Sequence, residues 1–532
     1  MSARQGRFVA IIVAALLALA GCDGAATASR HASAAARGEA TVLLMSGLSG
    51  DWPTGLDPAA STTSLVNSSI MNAIYGGLFQ LAADDDGHNA RLVGVLAESY
   101  DVRDDGRTIV IRLRRHVRFS DGTPLDAAAL RFNIERNLAA PCVCAPTAWP
   151  WADEPVTTLD ERTIALHFDR PYPAAVTTFP TSTINWPVSP AALRRLGEAQ
   201  FKVTPVGAGP FRVVSNQAST RLVLERNPHY WQAGRPHLAR LVFQSIGSEQ
   251  AAYQALIAGD AHVFEGLTSV PLIRRAEADE RITVTRQPAT SPYMIQLNTL
   301  APPFDDQRAR EAIYHATDVE AIRRGLFHGW YPASQSFTAP GGLFHHAAIP
   351  GYRTYDLEKA RAIVAGLGGL SITLGTTRAG MAEQIATALQ AQWRKAGIDV
   401  AVASYDVAAL LPKYRSGRWH AMLQTVGAYD PESLLGVISR FRSDRPFTGV
   451  KDAHLDRLLV AAAGTFDMQQ RDALYFQAGR YISDKAYAPF LFAAAPVQAT
   501  AGGIRGPGLT TRIPPLALVP GTFWQDVRFD AE

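Results

Sequence analysis

A helix that leads directly into a strand is the pattern that most constrains what this chain folds into. One apolar stripe recurs every fourth residue, at Met381, Ile385, Leu389 and Trp393. Such a stripe predicts an amphipathic helix, and Gly397 marks its end. A strand-like run follows at residues 398–402. Helix-then-strand units of this kind predict α/β lobes.

Similar local patterns recur along the chain. They predict a strand at 108–113, a helix at 126–137 with Asp126 as its N-cap, a hairpin of 211–214 and 222–225, and a helix at 249–257. The sequence Gly207-Ala208-Gly209-Pro210 lacks the third glycine and the following helix of a phosphate loop. It predicts a tight chain crossing instead.

The N-terminus carries a signal-like segment. Two arginines precede an unbroken apolar run at 9–20. This run is too short to anchor a protein by itself, since a spanning helix needs roughly 20 apolar residues. It closes on Leu19-Ala20-Gly21-Cys22, which resembles a bacterial lipobox. We therefore predict a lipoprotein signal peptide at 1–21 and lipid attachment at Cys22, with an ordinary secretory signal and a chance cysteine as the alternative.

The segment after the signal peptide predicts where the protein resides. Residues 22–40 are rich in Ala, Ser and Gly without a hydrophobic period, which predicts a flexible tether. Asp23 resembles the signal that keeps a lipoprotein on the periplasmic side of the inner membrane in Gram-negative bacteria. In a Gram-positive host the lipid would hold the chain on the outer face of the cell membrane.

The charge balance excludes one class of partner. The formal net charge of the 532 residues is +3, and loss of Arg4 and Arg7 with the signal peptide lowers it to +1. A chain without a basic excess is not built to bind polyanions, so we expect no nucleic-acid partner. Hydrophobic residues make up 47% of the chain and charged residues 19%, which indicates a globular body.

Two cysteines remain once Cys22 carries lipid. They stand in the segment Pro141-Cys142-Val143-Cys144-Ala145-Pro146. Outside the cytoplasm we favour a disulfide between Cys142 and Cys144, although a ring closed across one residue is small and strained. Free thiols and a metal site are the alternatives, but no further metal ligand lies nearby in the sequence.

Seven separated motifs follow one another in a defined order. They are Leu56-Asp57-Pro58, Tyr75-Gly76-Gly77-Leu78, 117–125 (VRFSDGTPL), 205–211 (PVGAGPF), 224–231 (LERNPHYW), 303–312 (PFDDQRAREA) and 355–360 (YDLEKA). In this order and spacing they resemble family 5 of the extracytoplasmic solute-binding proteins, which serve peptide/nickel-type ABC importers. The resemblance covers roughly residues 41–500.

The resemblance implies an α/β, two-lobed periplasmic-binding-protein fold of type II, in the large cluster with an extra subsidiary domain. Lobe I would use residues 41–85, 206–290 and 500–532, the subsidiary domain 86–205, and lobe II 291–499. The ligand would lie between the lobes, which close over it by bending at a hinge. These three regional names are kept below.

The segment 424–431 (QTVGAYDP) holds the first candidate ligand contacts. In peptide binders of this family, an aspartate just before a tyrosine grips the free α-amino group, but here Ala428 precedes Tyr429. Asp430 aligns better with the aspartate of the downstream Asp-Pro pair. Tyr429 and Asp430 are therefore candidate ligand contacts, and a helix cap near Glu432 is the alternative for Asp430.

Further candidates are aromatic, amide and arginine side chains. They are Trp52 and Trp419 as aromatic walls, Tyr293 and Asn298 as hinge or ligand residues, and Arg440 and Arg442 as forked donors to a ligand carboxylate. The alternatives are a core aromatic for Trp419 and a solvated face for the two arginines. Adjacent histidines such as His345-His346 do not share a helix face, so we predict no metal site and no cofactor.

Catalytic patterns do not accompany these residues. Gly-x-Ser-x-Gly, His-Glu-x-x-His and Walker motifs are absent from the sequence. The sequence therefore predicts a monomeric, lipid-anchored receptor, not an enzyme, that captures a peptide or peptide-like solute for a separate ABC permease and ATPase. The alternatives are a receptor for a metal chelate, an opine or glutathione, a ligand-sensing partner of a signalling protein, and a secreted enzyme built on a similar scaffold.

Overall fold

The computed structural model describes most of the chain. The described residues are 34, 38–45, 56–60, 68–83, 90–139, 149–378, 381–426, 429–432, 436–445, 447–495, 497–510 and 521–530. The predictions for the signal peptide, Cys22, Asp23, Trp52, Cys142, Cys144 and Ala428 lie outside these residues. Within the described ranges, no helix has the length and apolar character that crossing a membrane requires.

The described ranges contain twenty strands and fifteen α-helices, numbered in chain order. The strands are β1 (Glu39–Met45), β2 (Phe79–Ala83), β3 (Ala90–Gly94), β4 (Ala97–Arg103), β5 (Thr108–Leu113), β6 (Trp151–Asp160), β7 (Thr163–Phe168), β8 (Phe211–Gln217), β9 (Arg221–Arg226), β10 (Arg240–Ile246), β11 (Val263–Leu267), β12 (Ile282–Arg286), β13 (Ser291–Leu297), β14 (Leu370–Thr377), β15 (Ile398–Tyr405), β16 (Ala421–Thr425), β17 (Phe490–Ala494), β18 (Val497–Ala501), β19 (Ile504–Arg505) and β20 (Arg528–Phe529). The helices are α1 (Ser68–Tyr75), α2 (Ala127–Ala139), α3 (Ala174–Thr178), α4 (Pro190–Phe201), α5 (Glu249–Ile257), α6 (Val270–Glu277), α7 (Gln307–Ala316), α8 (Val319–Phe327), α9 (Leu357–Gly366), α10 (Ala382–Lys395), α11 (Val407–Arg415), α12 (Val437–Phe441), α13 (Ala453–Ala463), α14 (Met468–Asp484) and α15 (Pro507–Thr510).

Each of the three predicted regions contains a sheet of its own. The seven strands of lobe I follow the order β12-β18-β11-β1-β10-β9-β8, and β1 pairs in parallel with β10 and β11. The five strands of lobe II follow the order β15-β14-β16-β13-β17, and β14 is parallel to β15 and β16. The subsidiary region has the antiparallel sheet β4-β5-β7-β6.

Local patterns predicted single elements correctly. α10 and β15 form the helix-then-strand unit, α5 spans the predicted helix, and β8 pairs with β9 as the hairpin. Asp126 caps α2, because its Oδ1 accepts the backbone N–H of Ala129 at 2.8 Å. A Cβ on Gly207 would lie 2.4 Å from the carbonyl oxygen of Ile74, so this segment is a tight crossing.

Two strands begin earlier than the expected boundaries. β1 starts at Glu39, inside the predicted tether, since Glu39 already pairs with Arg240. β18 starts at Val497, before the predicted return to lobe I at residue 500, since Val497 pairs with Leu267 of β11. In both places the hydrogen bonds to a neighbouring strand decide where the strand starts, and composition alone does not reveal them.

The cores of lobe II are largely separate from the core of lobe I, whereas lobe I shares its core with Trp186 and Phe201 of the subsidiary region. Trp393 lies in the core that joins the helices of lobe II to one face of its sheet. In lobe I, Phe243 and Trp524 pack edge to face with their ring centroids 5.6 Å apart. In the subsidiary region, Trp149 and Phe168 belong to a third core. Lobes with separate cores keep their shape when the chain between them bends.

The chain passes twice between the two large sheets. Residues 287–290 join β12 to β13, and residues 495–496 join β17 to β18. β12 pairs with β18, and β13 pairs with β17, so the two crossings run side by side. Loop residues that connect two packed bodies are where a hinge between them absorbs the change in backbone angles.

Candidate functional site

The carboxyl ends of the parallel strands indicate where a ligand binds. In lobe II, β14, β15 and β16 end at Thr377, Tyr405 and Thr425 on one edge of the sheet. β13 runs in the opposite direction, so Tyr293 near its start pairs with Thr425 at the same edge. In open α/β sheets, ligands bind in the crevice outside these carboxyl ends.

Lobe I presents an equivalent edge. β1, β10 and β11 run parallel and end there. β12 is parallel to β11, because both pair antiparallel with β18, so its last residue, Arg286, lies at this edge too. Residues 287–290 then lead straight into β13. The carboxyl edges of the two sheets therefore meet at the crossings, and we call the space between them the cleft.

Asp430 follows β16 at this edge, and its charge is already paired. The side chain is 1% exposed, and both carboxylate oxygens accept hydrogen bonds from Nη2 of Arg471 at 3.0 Å. The backbone N–H of Glu432 donates to Oδ1 at 2.9 Å, and the hydroxyl of Thr177 donates to Oδ2. Burial opposes the charge of Arg471, but Asp430, Tyr475 and Glu432 together outweigh burial and raise the pKa of the guanidinium.

Glu432 is a second buried carboxyl group beside this pair. Tyr475 Oη donates to Oε1 at 2.8 Å, and Tyr172 Oη donates to Oε2 at 3.4 Å. Burial raises the pKa of Glu432 to about 7, against the opposing influence of the Arg471 guanidinium. The carboxyl group therefore changes charge near neutral pH, where an exposed glutamate is fully ionised.

These side chains form one polar cluster between two regions of the chain. The polar cluster consists of Tyr172, Thr177, Asp430, Glu432, Arg471 and Tyr475. Tyr172 and Thr177 belong to the subsidiary region, and their hydroxyl groups donate to carboxylates of lobe II. A buried network in which each member has a partner holds its elements in one arrangement. The polar cluster therefore ties the subsidiary region to the segment that follows β16.

Arg440 and Arg442 are buried, so the solvated face considered as their alternative is wrong. They are 6% and 9% exposed, because α12 packs into the core of lobe II. Nε and Nη2 of Arg442 donate to the two oxygens of Asp444 at 2.6 Å each. Arg440 reaches the end of β16 instead, where Nη2 lies 3.4 Å from the carbonyl oxygen of Thr425.

Tyr293 and Tyr429 lie at the same edge as Asp430. The ring of Tyr293 packs against Phe492 with 5.5 Å between centroids, and burial raises the pKa of its phenol. Tyr429 is 5% exposed, and its carbonyl oxygen accepts the N–H of Leu343 at 2.7 Å. The structure therefore brings four sequence candidates, Tyr293, Tyr429, Asp430 and Arg440, to the carboxyl edge of lobe II.

Asn298 and Trp419 lie at the opposite end of the same sheet. Tyr293 lies at the carboxyl edge, and Leu297, four residues later in β13, is about 14 Å away at about 3.4 Å per residue. Beyond it, Nδ2 of Asn298 donates to the carbonyl oxygen of Trp419 at 2.8 Å. The Trp419 ring packs against Tyr414 with 4.9 Å between centroids.

Glu265 is a buried carboxyl group at the edge of lobe I. It lies near the end of β11 and is 0% exposed. Its Oε1 accepts hydrogen bonds from Ser69 Oγ at 2.8 Å and from Thr522 Oγ1 at 2.7 Å. Burial raises the pKa of Glu265 to about 7, although these two hydrogen bonds act in the opposite direction. No lysine or arginine in the described ranges forms an ion pair with it.

Metal-ligating side chains do not gather anywhere in the part of the chain that the structure describes. No group of three or more His, Cys, Asp or Glu residues there could hold an ion. Of the two adjacent histidines, His346 contacts a single carboxylate, with its Nε2 2.9 Å from Oδ1 of Asp472. Burial lowers the pKa of His345.

Four members of the polar cluster were not among the sequence candidates. They are Tyr172, Thr177, Arg471 and Tyr475. Arg471 pairs with a carboxylate 41 positions earlier, and Tyr172 donates to a carboxylate 260 positions later. Contacts over such separations leave no pattern in a short window of sequence. The sequence analysis named Glu432 only as the start of a helix. Its position directly after the Asp-Pro pair was the one sequence signal that could have placed it in the polar cluster.

The three sheets and the facing edges define an α/β binding protein with two lobes, and solved structures share this fold. DppA of Helicobacter pylori in complex with the peptide STSA has a TM-score of 0.78 at 21% identity, over 93% of this chain and 98% of that chain. A dipeptide binding protein of Pseudoalteromonas sp. SM9913 in complex with Met-Leu has a TM-score of 0.78 at 17% identity, over 92% and 100%. MoaA of A. tumefaciens R10 in complex with mannopinic acid has a TM-score of 0.78 at 21% identity, over 93% and 99%.

Sequence comparison identifies the family within that class. The model for bacterial extracellular solute-binding proteins, family 5 middle region, matches residues 91–445, more than half of the chain, and the protein belongs to this family. The glutathione-binding protein GsiB of Pectobacterium atrosepticum is 25% identical over 359 residues, 66% of this chain and 67% of the relative. GsiB of Escherichia coli O1:K1 is 27% identical over 392 residues, 72% of each chain. The family and the two-lobed fold expected from the motifs are confirmed.

Proposed function

We propose that this chain is the lipid-anchored substrate-binding component of an ABC importer. It captures a peptide or peptide-like solute in the cleft and delivers it to a membrane permease that a separate ATPase drives. The observation that carries the proposal is the meeting of two carboxyl edges at paired crossings, with buried polar side chains on both sides. Closure of the lobes excludes water and strengthens each polar contact with the solute. No catalytic step is assigned to the chain.

The names of the relatives support a small polar solute. Two relatives bind glutathione by name, and two solved structures hold the peptides STSA and Met-Leu. A further structure holds mannopinic acid. Peptides and glutathione are therefore the first solutes to test, and opine acids are the next.

The first experiment measures the melting temperature of the full chain, purified in mild detergent, with pools of di- to pentapeptides. One set has free N-termini and the other has acetylated N-termini. Binding to the folded state stabilises it by about 2.7 kcal/mol at a hundredfold excess of ligand over the dissociation constant. Since Arg471 donates to both oxygens of Asp430, we expect both sets to raise the melting temperature.

Each other outcome of this experiment has a defined interpretation. A shift with free amines alone would mean that the ammonium group of the ligand displaces Arg471 from Asp430. No shift with the peptides, glutathione or mannopinic acid would contradict a peptide-like ligand. The solute would then belong to another chemical class, such as a metal chelate.

The lipid anchor is tested separately from ligand binding. Changing Cys22 to alanine (Cys22→Ala) removes the sulfur that would carry the lipid, so we expect the variant to leave the membrane fraction. Fractionation of cells with and without detergent measures this. Cys142→Ala is the matched control and is expected to stay with the membrane. A Cys22→Ala protein that still needs detergent for release would rule out the lipobox, and with it the location that Asp23 predicts.

A further inference from the structure

Arg440 is a buried cation that forms no ion pair with a carboxylate of the described residues. It is 6% exposed, and its Nε has no hydrogen-bond partner among the described residues. Burial lowers the pKa of Arg440, but a guanidinium starts so high that it stays charged. The neighbouring residues outside the described ranges, 427–428, 433–435 and 446, contain no aspartate or glutamate. The charge is therefore uncompensated by any nearby acidic residue of this segment.

Other buried arginines of lobe II have the partners that Arg440 lacks. Arg471 and Arg442 each donate to a carboxylate. Arg310, which is also 6% exposed, donates to the carbonyl oxygens of Phe304 at 2.7 Å and of Lys485 at 2.9 Å. In Arg440, Nη2 lies 3.4 Å from the carbonyl oxygen of Thr425, and Cζ lies 5.3 Å from the centroid of the Phe447 ring. A buried charge with such weak partners is costly to the protein alone.

Gln424 offers a second free donor on the same face of the sheet. Gln296 donates to the carbonyl oxygen of Arg440 at 2.8 Å, and it pairs directly with Met422 of β16. Paired residues project to one face of a sheet, and residues two apart on a strand do the same, so Gln424 shares this face with Met422. Gln424 is 7% exposed, and its Nε2 has no hydrogen-bond partner in the part of the chain that the structure describes.

Both donors lie at the end of β16, which is the carboxyl edge that faces the cleft. Nη2 of Arg440 lies beside the carbonyl oxygen of Thr425, and Gln424 precedes Thr425 in the strand. A guanidinium and an amide N–H₂ at the end of the same strand are suited to the oxygens of a carboxylate. Asp430 is no competing acceptor, because Arg471 already donates to both of its oxygens.

We propose that Arg440 and Gln424 bind a carboxylate of the imported solute, so that the solute is an organic acid or a peptide with a free C-terminus. The inference rests on the proposed function and names the chemical class of its ligand. It also assigns different roles to two arginines that are two residues apart. Arg442 is structural and bound to Asp444, whereas Arg440 recognises the ligand.

A first test needs no ligand. Arg440→Met replaces the charged side chain by an apolar one of similar length, so the melting temperature of the ligand-free full chain should stay the same or rise. Arg310→Met is the comparison, and it should lower the melting temperature because several buried carbonyl groups lose their donor. A loss of stability in Arg440→Met as large as that in Arg310→Met would overturn the inference, because Arg440 would then be structural.

A second test uses the acetylated peptide pools with either free or amidated C-termini. We expect free C-termini to raise the melting temperature of the wild type and amidated ones to have no effect. Calorimetry on a peptide taken from the active pool should show a dissociation constant at least about 30-fold higher for Arg440→Met. Arg324→Gln is the matched control for charge, since its side chain is 79% exposed, and it should bind as the wild type does.

The outcomes separate the inference from the function on which it rests. Equal shifts with free and amidated C-termini would leave the proposed function standing and reject the carboxylate site. An unchanged dissociation constant of the peptide in Arg440→Met would also reject the carboxylate site and leave the proposed function standing. If no peptide pool, with free or acetylated N-termini, and neither glutathione nor mannopinic acid shifts the wild type, the peptide-like ligand is rejected, and the carboxylate site is rejected with it.

Discussion

Replacing Asp430 by asparagine (Asp430→Asn) is expected to lower the free energy of unfolding by about 3–5 kcal/mol. The amide keeps the size of the side chain but removes the charge that Arg471 neutralises. Arg471 is 3% exposed, so its guanidinium would stay buried without a counter-charge. The variant would also lose an acceptor for the hydroxyl of Thr177, which links the subsidiary region to lobe II. Urea denaturation of the full chain measures the change.

A double-mutant cycle with Arg471→Met tests whether the loss comes from this pair. Each single change leaves one buried charge without its partner, whereas the double variant leaves none. The loss of unfolding free energy in the double variant should therefore be smaller than the sum of the losses in the two single variants. Asp101→Asn is the matched control. Its carboxylate also binds an arginine, Arg103, but the two side chains are 60% and 55% exposed, and exposed pairs contribute about 0–1 kcal/mol. Equal losses for Asp430→Asn and Asp101→Asn would contradict the buried pair.

The pH dependence of stability should reveal Glu265. Burial raises the pKa of this carboxyl group from 4.5 to about 7 in the folded protein. Between these two pH values the folded state holds a proton that the unfolded state has released, so the free energy of unfolding falls as the pH rises. The contribution of this bound proton to the free energy of unfolding is complete below pH 4.5 and is lost above pH 7. Its size is on the order of 3 kcal/mol.

Glu265→Gln removes this titration while keeping an oxygen to accept hydrogen bonds from Ser69 and Thr522. We therefore expect the variant to match the wild type at pH 4.5 and to be more stable than it at pH 8 by about 3 kcal/mol. Glu432 titrates in both proteins, so the difference between them isolates Glu265. Urea denaturation at several pH values measures it, and Glu358→Gln, whose carboxylate is 81% exposed, is the control. A stability difference that does not vary with pH would contradict a raised pKa.

Local elements of this fold were predictable because their causes lie within a few residues. The stripe at every fourth residue is enough to form α10, and Gly397 is enough to end it before β15. Asp126 caps α2 through a backbone N–H three positions away. The strand boundaries at Glu39 and Val497 were missed because they depend on partners far along the chain.

The candidate site was predictable in outline but not in its charge pairing. Asp430 was identified as a candidate because it stands in a family motif, and the structure places it just after β16, at the carboxyl edge of lobe II. Its partner Arg471 stands on α14, where one arginine among several polar residues carries no distinguishing signal. Arg440 and Arg442 looked equivalent in the sequence, yet among the described residues only Arg442 is paired with a carboxylate.

By itself, the sequence determined the family, the α/β class and several single helices and strands, because periodicity, caps and turn residues act over short stretches of chain. The tertiary structure alone decided which buried arginines are paired with carboxylates among the described residues and which buried carboxyl groups lack a cation. Tyr172 and Glu432 are 260 positions apart, and they meet only once the subsidiary region packs against lobe II. The charge state of a buried group depends on such distant neighbours and on its burial, and neither exists until the chain has folded.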